Sequence, residues 1–277
     1  MTKRVYIFGD PVAHSKSPAM HAAAYKELGL DYEYVKEHVR GAELGDKVRN
    51  LLRHPNCAGA NITIPHKEAV IPFLDELDPL AEDIGAVNTV VNNNGKLKGY
   101  NTDATGYLTS LTEQFDPKDK KVAIFGAGGA AKAIALILHR QGNVSEIAIG
   151  EVVRAKAELL AKQVPSTQAY DVTAPEFLVK VAQADLVVNT SPLGMHPHED
   201  KTPLTDLSVI HSGQLYSDVV YVPRDTLFLR NASARGAQIH YGIGMLLFQG
   251  VIAFSHFTGI PLERVPIDTM RKALLAQ

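Results

Sequence analysis

One stretch restricts the fold more than any other: KVAIFGAGGAAKAIALILHR, residues 121–140. An apolar run stops at glycines, and an apolar-faced helical pattern follows at once. Gly126, Gly128 and Ala131 fit G-x-G-x-x-A. The first glycine permits a tight turn, and the second lets the backbone approach a pyrophosphate. The small third residue lets helix and strand pack closely. The helix N-terminus then turns N–H groups and a positive dipole end toward the phosphates. With EIAIG behind it, the stretch is a βαβ unit, so the expected ligand is a dinucleotide and the expected class α/β.

The rest of the chain keeps that rhythm. RVYIFG, DYEYVKEHV and GANITIP read as strands, with helices expected over 18–28, 44–53 and 67–74. AVNTVV and KLKGY flank NNNG, a hairpin turn. NTDATGYLTSL reads as a helix passing between two lobes. In the second lobe, helices are expected over 153–164 and 174–184, with QAYDV, DLVVNT and LYSDVVY as strands. Asp225 is the expected cap of a helix over 226–234 that Gly236 ends. Helices over 244–257 and 269–275 close the chain. Alternating strands and helices argue for mostly parallel sheets.

Composition removes other classes. The chain has 277 residues, 45% apolar and 21% charged, with a formal net charge of −2. That balance does not favour nucleic acid or an anionic membrane as partner. One cysteine, Cys57, rules out an internal disulfide and a Cys-based zinc site. MTKRVYIFGD lacks the apolar core of a signal peptide, and no apolar run is long enough to span a bilayer. The expected address is the cytoplasm. HPHED, residues 196–200, is the one local histidine cluster and reads as a polar loop. No metal site is expected.

Polar clusters sit at element ends in the first lobe. In HSKSP, Ser17 with Pro18 reads as a helix start, Ser17 being the cap. Two hydroxyls, Ser15 and Ser17, also make a cradle for a carboxylate. NITIPHKEA puts Thr63 and Lys67 at a corner, where the lysine alone would pass for a solvated residue of a first turn. His66 is expected to point the other way. GAVNTV supplies Asn88, and GYNTDATG supplies Asn101 and Asp103, the latter a natural cap for its helix.

Taken together, these clusters resemble the shikimate/quinate dehydrogenase family from end to end. The matching stretches are GDPVAHSKSPAMH, GANITIPHKE, GAVNTVV, GYNTDATG, VAIFGAGGAAKA, VVNTSPLGM, DVVYVP and GIGMLLFQG. The resemblance implies hydride exchange between 3-dehydroshikimate and shikimate, or the quinate pair, and a nicotinamide cofactor. It implies a substrate domain of residues 1–103 plus 243–277 and a Rossmann domain of residues 104–242, the C-terminal helix returning to the first lobe. Lys67 and Asp103 become the catalytic pair. Ser15 and Ser17 bind the substrate carboxylate, and Thr63, Lys67, Asn88, Asp103 and Gln249 its hydroxyls, with Tyr221 close by. Gly126, Ala127, Gly128, Gly129, Ala130 and Ala131 hold the cofactor. Asn189, Thr190 and Ser191 line its groove, and Val219 and Gly242 its nicotinamide.

The chain departs from the pattern at one place. NADP-using relatives carry Asn-Arg-Thr after the second strand of the dinucleotide unit, with another arginine further on. Here the stretch is IGEVVR. Glu151 lies about twenty residues beyond the loop, where an acid accepts hydrogen bonds from the ribose hydroxyls and repels a 2′-phosphate. Arg154 is retained. NAD is therefore the expected cofactor ahead of NADP, although an acid here also suits a helix start. The serine pair favours shikimate over quinate. A sensor that binds such ligands without turnover would not need Lys67 and Asp103. A folate-type Rossmann reductase fits the serine pair and YNTDATG poorly. Monomer and homodimer are both compatible.

Overall fold

The computed structural model describes residues 1–276. Its contacts divide the chain into two compact units, Met1–Gly106 with the chain from Leu247 onward, and Tyr107–Leu246.

The first unit begins with β1 (Lys3–Gly9), α1 (Ser17–Glu27) and β2 (Tyr32–His38). A short α2 (Leu44–Lys47) widens into a looser turn over Val48–Leu52 before β3 (Cys57–Ile62). Next come β4 (Glu76–Leu77), α3 (Pro79–Ile84), and the hairpin of β5 (Thr89–Asn93) and β6 (Lys96–Tyr100). The hairpin turns on Asn94 and Gly95, both left-handed, as its NNNG sequence requires. The sheet order is β2-β1-β3-β5-β6-β4. β1 pairs parallel with β2 and β3, while β5 pairs antiparallel with β3 and β6. Both faces are covered. Phe8, Ile62, Val90 and Leu97 pack with Leu44, Leu52 and Val70 on one side. Val5, Ala58 and Val91 meet Ala253 and Phe257 on the other. The period-2 alternation of Val90 and Val91 serves both cores.

The second unit holds β7 (Lys121–Phe125), α5 (Gly129–Arg140), β8 (Glu146–Glu151), α6 (Arg154–Gln163), β9 (Thr167–Asp171) and α7 (Pro175–Gln183). It continues with β10 (Leu186–Asn189), β11 (Leu215–Asp218), α8 (Leu227–Ser233) and β12 (Gln238–Tyr241). All strands are parallel, in the order β12-β11-β10-β7-β8-β9. That is the doubly wound dinucleotide-binding order, and its switch point falls between β7 and β10. The chain enters this unit within α4 (Thr102–Thr112) and leaves it within α9 (Gly242–Thr258). α10 (Ile267–Leu275) then packs on α1 in the first unit. Among the described residues no helix is long and apolar enough to cross a membrane.

Several expectations need correction. Residues 67–74 form turns and a single 3-10 turn at Ile71–Phe73, not an α-helix. Pro72 removes an N–H there and disfavours helical backbone at Ile71. The helix after residue 225 is capped by Thr226, whose side chain accepts from Leu229 N–H. Asp225 accepts instead from the Tyr241 hydroxyl at 3.0 Å. β4, α3 and β12 were not anticipated. Too short for periodicity to show, they are held by neighbours, as Asp78 caps α3 through Leu80 N–H. β11 stops at Asp218 rather than at residue 221, because Val220 N–H turns back to the Asp218 carboxylate.

Asp218 is the buried charge of the second unit. Its carboxylate accepts from Asn189 Nδ2 at 3.1 Å, Val220 N–H at 2.9 Å and Thr226 Oγ1 at 2.7 Å. Burial nevertheless outweighs these three donors and pushes the carboxyl up to about 6. A folded value above the unfolded 3.8 means that the group's contribution is complete below 3.8 and is lost as pH rises through about 6. The stability of the natural chain relative to Asp218→Asn should therefore fall by about 1 kcal/mol between roughly pH 5 and pH 8. Urea unfolding of both chains across that range checks it, and a difference that is flat or rises with pH contradicts it.

A second prediction concerns the crossing of α4 and α9 in the first unit. A Cβ on Gly106 would lie 2.5 Å from Gln249 N and 2.9 Å from its Cα. Backbone cannot step aside as a side-chain end can. Alanine favours a helix interior by about 1 kcal/mol over glycine, but such overpacking costs about 1–3 kcal/mol. Gly106→Ala should lower Tm by several degrees in a thermal melt, where helix propensity alone would raise it.

Candidate active site

In the first unit, the corner after β3 positions Lys67. Thr63 N–H donates to Phe8 O at 2.9 Å, and His66 N–H donates to Thr63 O at 2.9 Å. Val87 N–H donates to Lys67 O at 2.8 Å, fixing the lysine backbone against the approach to β5. His66 turns inward as expected, fully buried with Nε2 2.5 Å from Val39 O. Lys67 turns the other way, and its Nζ donates to Asp103 Oδ2 at 2.7 Å. The two side chains retain 33% and 18% exposure. The pair is screened less than a surface ion pair, yet the ammonium stays reachable.

Asp103 is not the cap of α4. That contact is made by Asn101, whose Oδ1 accepts from Ala104 N–H at 3.2 Å while its Nδ2 donates to Ala86 O at 3.0 Å. Asn88 secures the same helix end: its Oδ1 accepts from Thr102 N–H at 2.7 Å, and its Nδ2 donates to Thr102 Oγ1 at 3.0 Å. With two asparagines holding the helix start, Asp103 in the first turn engages Lys67 instead.

The serine pair differs from expectation in detail. Lys16 stands at the cap position of α1 and makes no side-chain cap bond, and Ser17 is already helical. Ser15 Oγ accepts from Ser17 N–H at 3.3 Å. Ser15 thus takes over the helix-end role, and Ser17 points its buried hydroxyl elsewhere. Gln249, also buried, sits on α9 where it crosses α4 in this unit. Ser15, Ser17, Thr63, Lys67, Asn88, Asp103 and Gln249 all belong to the first unit; Tyr221 lies in the second, beyond β11 and partly exposed.

In the second unit, the loop after β7 has the form its glycines predict. Gly126 is left-handed at φ +101°, and a Cβ there would stand 2.8 Å from Thr190 Oγ1. Thr190 itself is tied to the end of β7 through Phe125 O. Around Gly128 and Gly129 nothing would meet an added Cβ within 4 Å. Ala130 is half-buried and Ala131 packs fully into the core. These residues fit a dinucleotide: an open glycine cradle leads into α5, at the switch point of the sheet. Asn189, beside it at the end of β10, accepts from Ser191 N–H and Oγ and from nothing charged. Val219 N–H donates to Asn189 O at 3.1 Å, and a Cβ on Gly242 would stand 2.6 Å from Val219 O.

Glu151 does more than begin a helix. It ends β8, and its Oε2 accepts from Ala127 N–H in the glycine loop at 2.9 Å. Oε1 accepts from Val153 N–H at 3.3 Å. Val152 and Val153 are exposed beside it. Arg154 points to Glu158, with Nε donating to Oε1 at 3.0 Å. In the polar loop of residues 196–200, exposed His196 pairs with Glu199 at 3.0 Å.

Four residues with structural claims on these sites escaped the sequence reading: Tyr34, Asn61, Thr102 and Asp218. Asn61 Nδ2 donates to Asn88 O and Thr89 Oγ1, at 3.2 and 3.0 Å. Asp218 opens DVVYVP, so a lone acid at the end of an apolar strand was the available signal. Nothing in the local pattern around Tyr34 marks it.

Comparison with known proteins agrees with this geometry. Residues 7–90 match the shikimate dehydrogenase substrate binding domain, and residues 242–275 the shikimate 5'-dehydrogenase C-terminal domain. A shikimate dehydrogenase (NADP(+)) of Desulforamulus reducens is 44% identical, over 98% of this chain and 94% of its own. One from Methanopyrus kandleri is 42% identical, over 99% and 95%. The crystal structure of shikimate 5-dehydrogenase from Listeria monocytogenes, in complex with shikimate and NAD, superposes with a TM-score of 0.92 at 37% identity, covering 99% of this chain and 96% of that one. Identity of this order over essentially the whole length, with the same two-sheet architecture, shows that the chain belongs to the shikimate dehydrogenase family of oxidoreductases.

Proposed function

We propose that this chain interconverts shikimate and 3-dehydroshikimate and prefers NAD. The observation that carries the chemistry is the Lys67–Asp103 pair at 2.7 Å. A nicotinamide, when bound, supplies or accepts the hydride. Reduction of the ketone leaves negative charge on its oxygen, and that oxygen must gain a proton. The Lys67 ammonium offers both a nearby positive charge and the proton. In the reverse direction the neutral Lys67 amine takes the proton from the hydroxyl. Asp103 orients the ammonium and accepts from a neighbouring ring hydroxyl. Ser15 and Ser17 hold the carboxylate, and Thr63, Asn88 and Gln249 the remaining hydroxyls. On this reading residues 1–103 with 243–277 bind the substrate and residues 104–242 the cofactor. The serine at position 17, rather than a bulkier threonine, supports shikimate over quinate.

Glu151 supports NAD. Its carboxylate is anchored at the loop by Ala127 N–H, the side chains after it are valines, and Arg154 is engaged by Glu158. A 2′-phosphate would meet the Glu151 charge, and the one arginine of this segment is engaged by Glu158, whereas ribose hydroxyls would find an acceptor. The Desulforamulus and Methanopyrus enzymes are named for NADP(+), and the Listeria structure holds NAD. The strand end is therefore where such relatives are expected to diverge.

Two measurements test the reading. Lys67→Ala should lower kcat for shikimate oxidation by about 100-fold or more with a much smaller change in KM; a loss under about tenfold contradicts the role. The natural chain should show a kcat/KM for NAD at least about tenfold above that for NADP. Glu151→Gln keeps an oxygen for Ala127 N–H and removes only the charge, so it should shift the ratio toward NADP. An unchanged ratio overturns the assignment.

A further inference from the structure

We infer that His240 is a positioning residue that fixes where the nicotinamide ring sits, by tying the ends of β11 and β12 to α4. The inference rests on the reading that Val219 and Gly242 line that ring. β12 has only four residues and lies at the edge of its sheet, with β11 as its one strand neighbour. In the parallel register Ser217 pairs with His240, and Asp218 with Tyr241. The two chains then leave the sheet at Val219 and Gly242. There the backbones touch, since a Cβ on Gly242 would stand 2.6 Å from Val219 O and 2.7 Å from Asp218 O. Any slip of β12 along β11 therefore moves Gly242 against Val219.

One imidazole opposes that slip. Tyr107, Ser110, Ser217 and His240 are all buried, so their hydrogen bonds do not compete with water. Tyr107 Oη donates to Ser217 Oγ at 3.1 Å. Ser217 then gives its own proton to His240 Nδ1, 2.9 Å away. That leaves the ring proton on Nε2, which donates to Ser110 Oγ at 2.8 Å. The opposite tautomer would have Ser217 accept twice and leave its proton without an acceptor among the described contacts. Tyr107 and Ser110 both stand on α4, so the chain of bonds leaves that helix, crosses β11 and β12, and returns to it. The Tyr107 ring also meets the His240 ring edge-on, with planes 88° apart. The first turn of α9 rests on the same point: a Cβ on Gly244 would lie 2.0 Å from Ser110 Oγ. Four elements of the second unit are thus held together two residues before Val219 and Gly242. Hydride transfer depends on the exact placement of the ring, so a loose groove wall lowers kcat rather than cofactor affinity.

His240→Leu keeps the bulk of the side chain and removes both ring nitrogens. Ser110→Ala is milder, removes one contact, and serves where the leucine variant does not fold. In His240→Leu, kcat for shikimate oxidation should fall by about tenfold or more, and in Ser110→Ala by about threefold or more. KM for shikimate should not move. Calorimetric titration of each variant with ADP-ribose should give the Kd of the natural chain. ADP-ribose carries the adenosine and the pyrophosphate but no nicotinamide, so it reports the rest of the cofactor site. A merely structural role would weaken ADP-ribose binding along with kcat, and that result overturns the inference. An unchanged kcat in the folded variants overturns it as well. Failure of the underlying reading is recognised separately through Val219→Phe, which should abolish turnover while ADP-ribose still binds. If turnover survives there, Val219 does not face the ring and the inference falls with the reading.

Discussion

Two adjacent residues before β5 hold both halves of the Lys67–Asp103 pair. Val87 N–H fixes the Lys67 carbonyl at 2.8 Å, and the Asn88 side chain fixes Thr102 N–H at 2.7 Å. Thr102 is the first residue of α4, and Asp103 follows it. Lysine and aspartate are 36 residues apart in sequence, yet both are referred to one rigid stretch of backbone. Asn88 is buried, so its bonds are not weakened by water, and leaving either end unmade would cost about 1–3 kcal/mol. This constraint, more than the ion pair itself, makes the pair geometry reproducible. A half-exposed lysine and a carboxylate left to find each other would spend side-chain entropy comparable to what the contact returns.

The second unit solves a related problem with a charge. A glycine loop open enough for a pyrophosphate is also loose, since glycine lacks the side chain that would restrain it. Glu151 restrains it from the next strand through Ala127 N–H. The same carboxylate thus has two consequences: it orders the loop, and it sets the electrostatic character of the strand end where cofactors differ. Asp218 does the equivalent at the other side of the switch point, joining Asn189 of β10 to Thr226 at the start of α8. Both acids work on backbone, amide and hydroxyl groups rather than on cations. Their negative charge remains uncompensated by any lysine or arginine in the contacts described.

Much of this was legible from the chain. The glycine loop and the hairpin are local, and local rules describe them. The pairing of Lys67 with Asp103 was legible only through family resemblance, because spacing alone left each with an ordinary alternative. The misreadings share a cause. Ser17, Asp103 and Asp225 were each taken for the nearest helix cap, the role that residue type most often has. In each case a neighbour one or two residues away, Lys16, Asn101 or Thr226, holds the cap position. Which of two polar neighbours caps a helix depends on what the other can reach across the fold, as Asp103 reaches Lys67. Tyr34 was invisible for the same reason: all its partners lie on other elements. The helix expected over 67–74 failed differently, since Pro72 was in view and local chemistry alone argued against it.

The buried histidines show how these polar choices bear on the whole molecule. His240 accepts or donates between Ser110 Oγ and Ser217 Oγ, at 2.8 and 2.9 Å, and Tyr107 donates to Ser217 at 3.1 Å. His21, by contrast, lies among Tyr25, Tyr34, Phe254 and Phe257 and works as an aromatic ring. Burial lowers His240 to about 4 and His21 to about 3. Their folded values lie below the unfolded 6.5, so the stability they contribute is present above 6.5 and is lost as pH falls toward those values. Asp218 runs the opposite way, losing its contribution as pH rises through about 6. The opposing slopes overlap near pH 6, so acidification relieves the buried carboxylate only while it begins to strain two buried imidazoles.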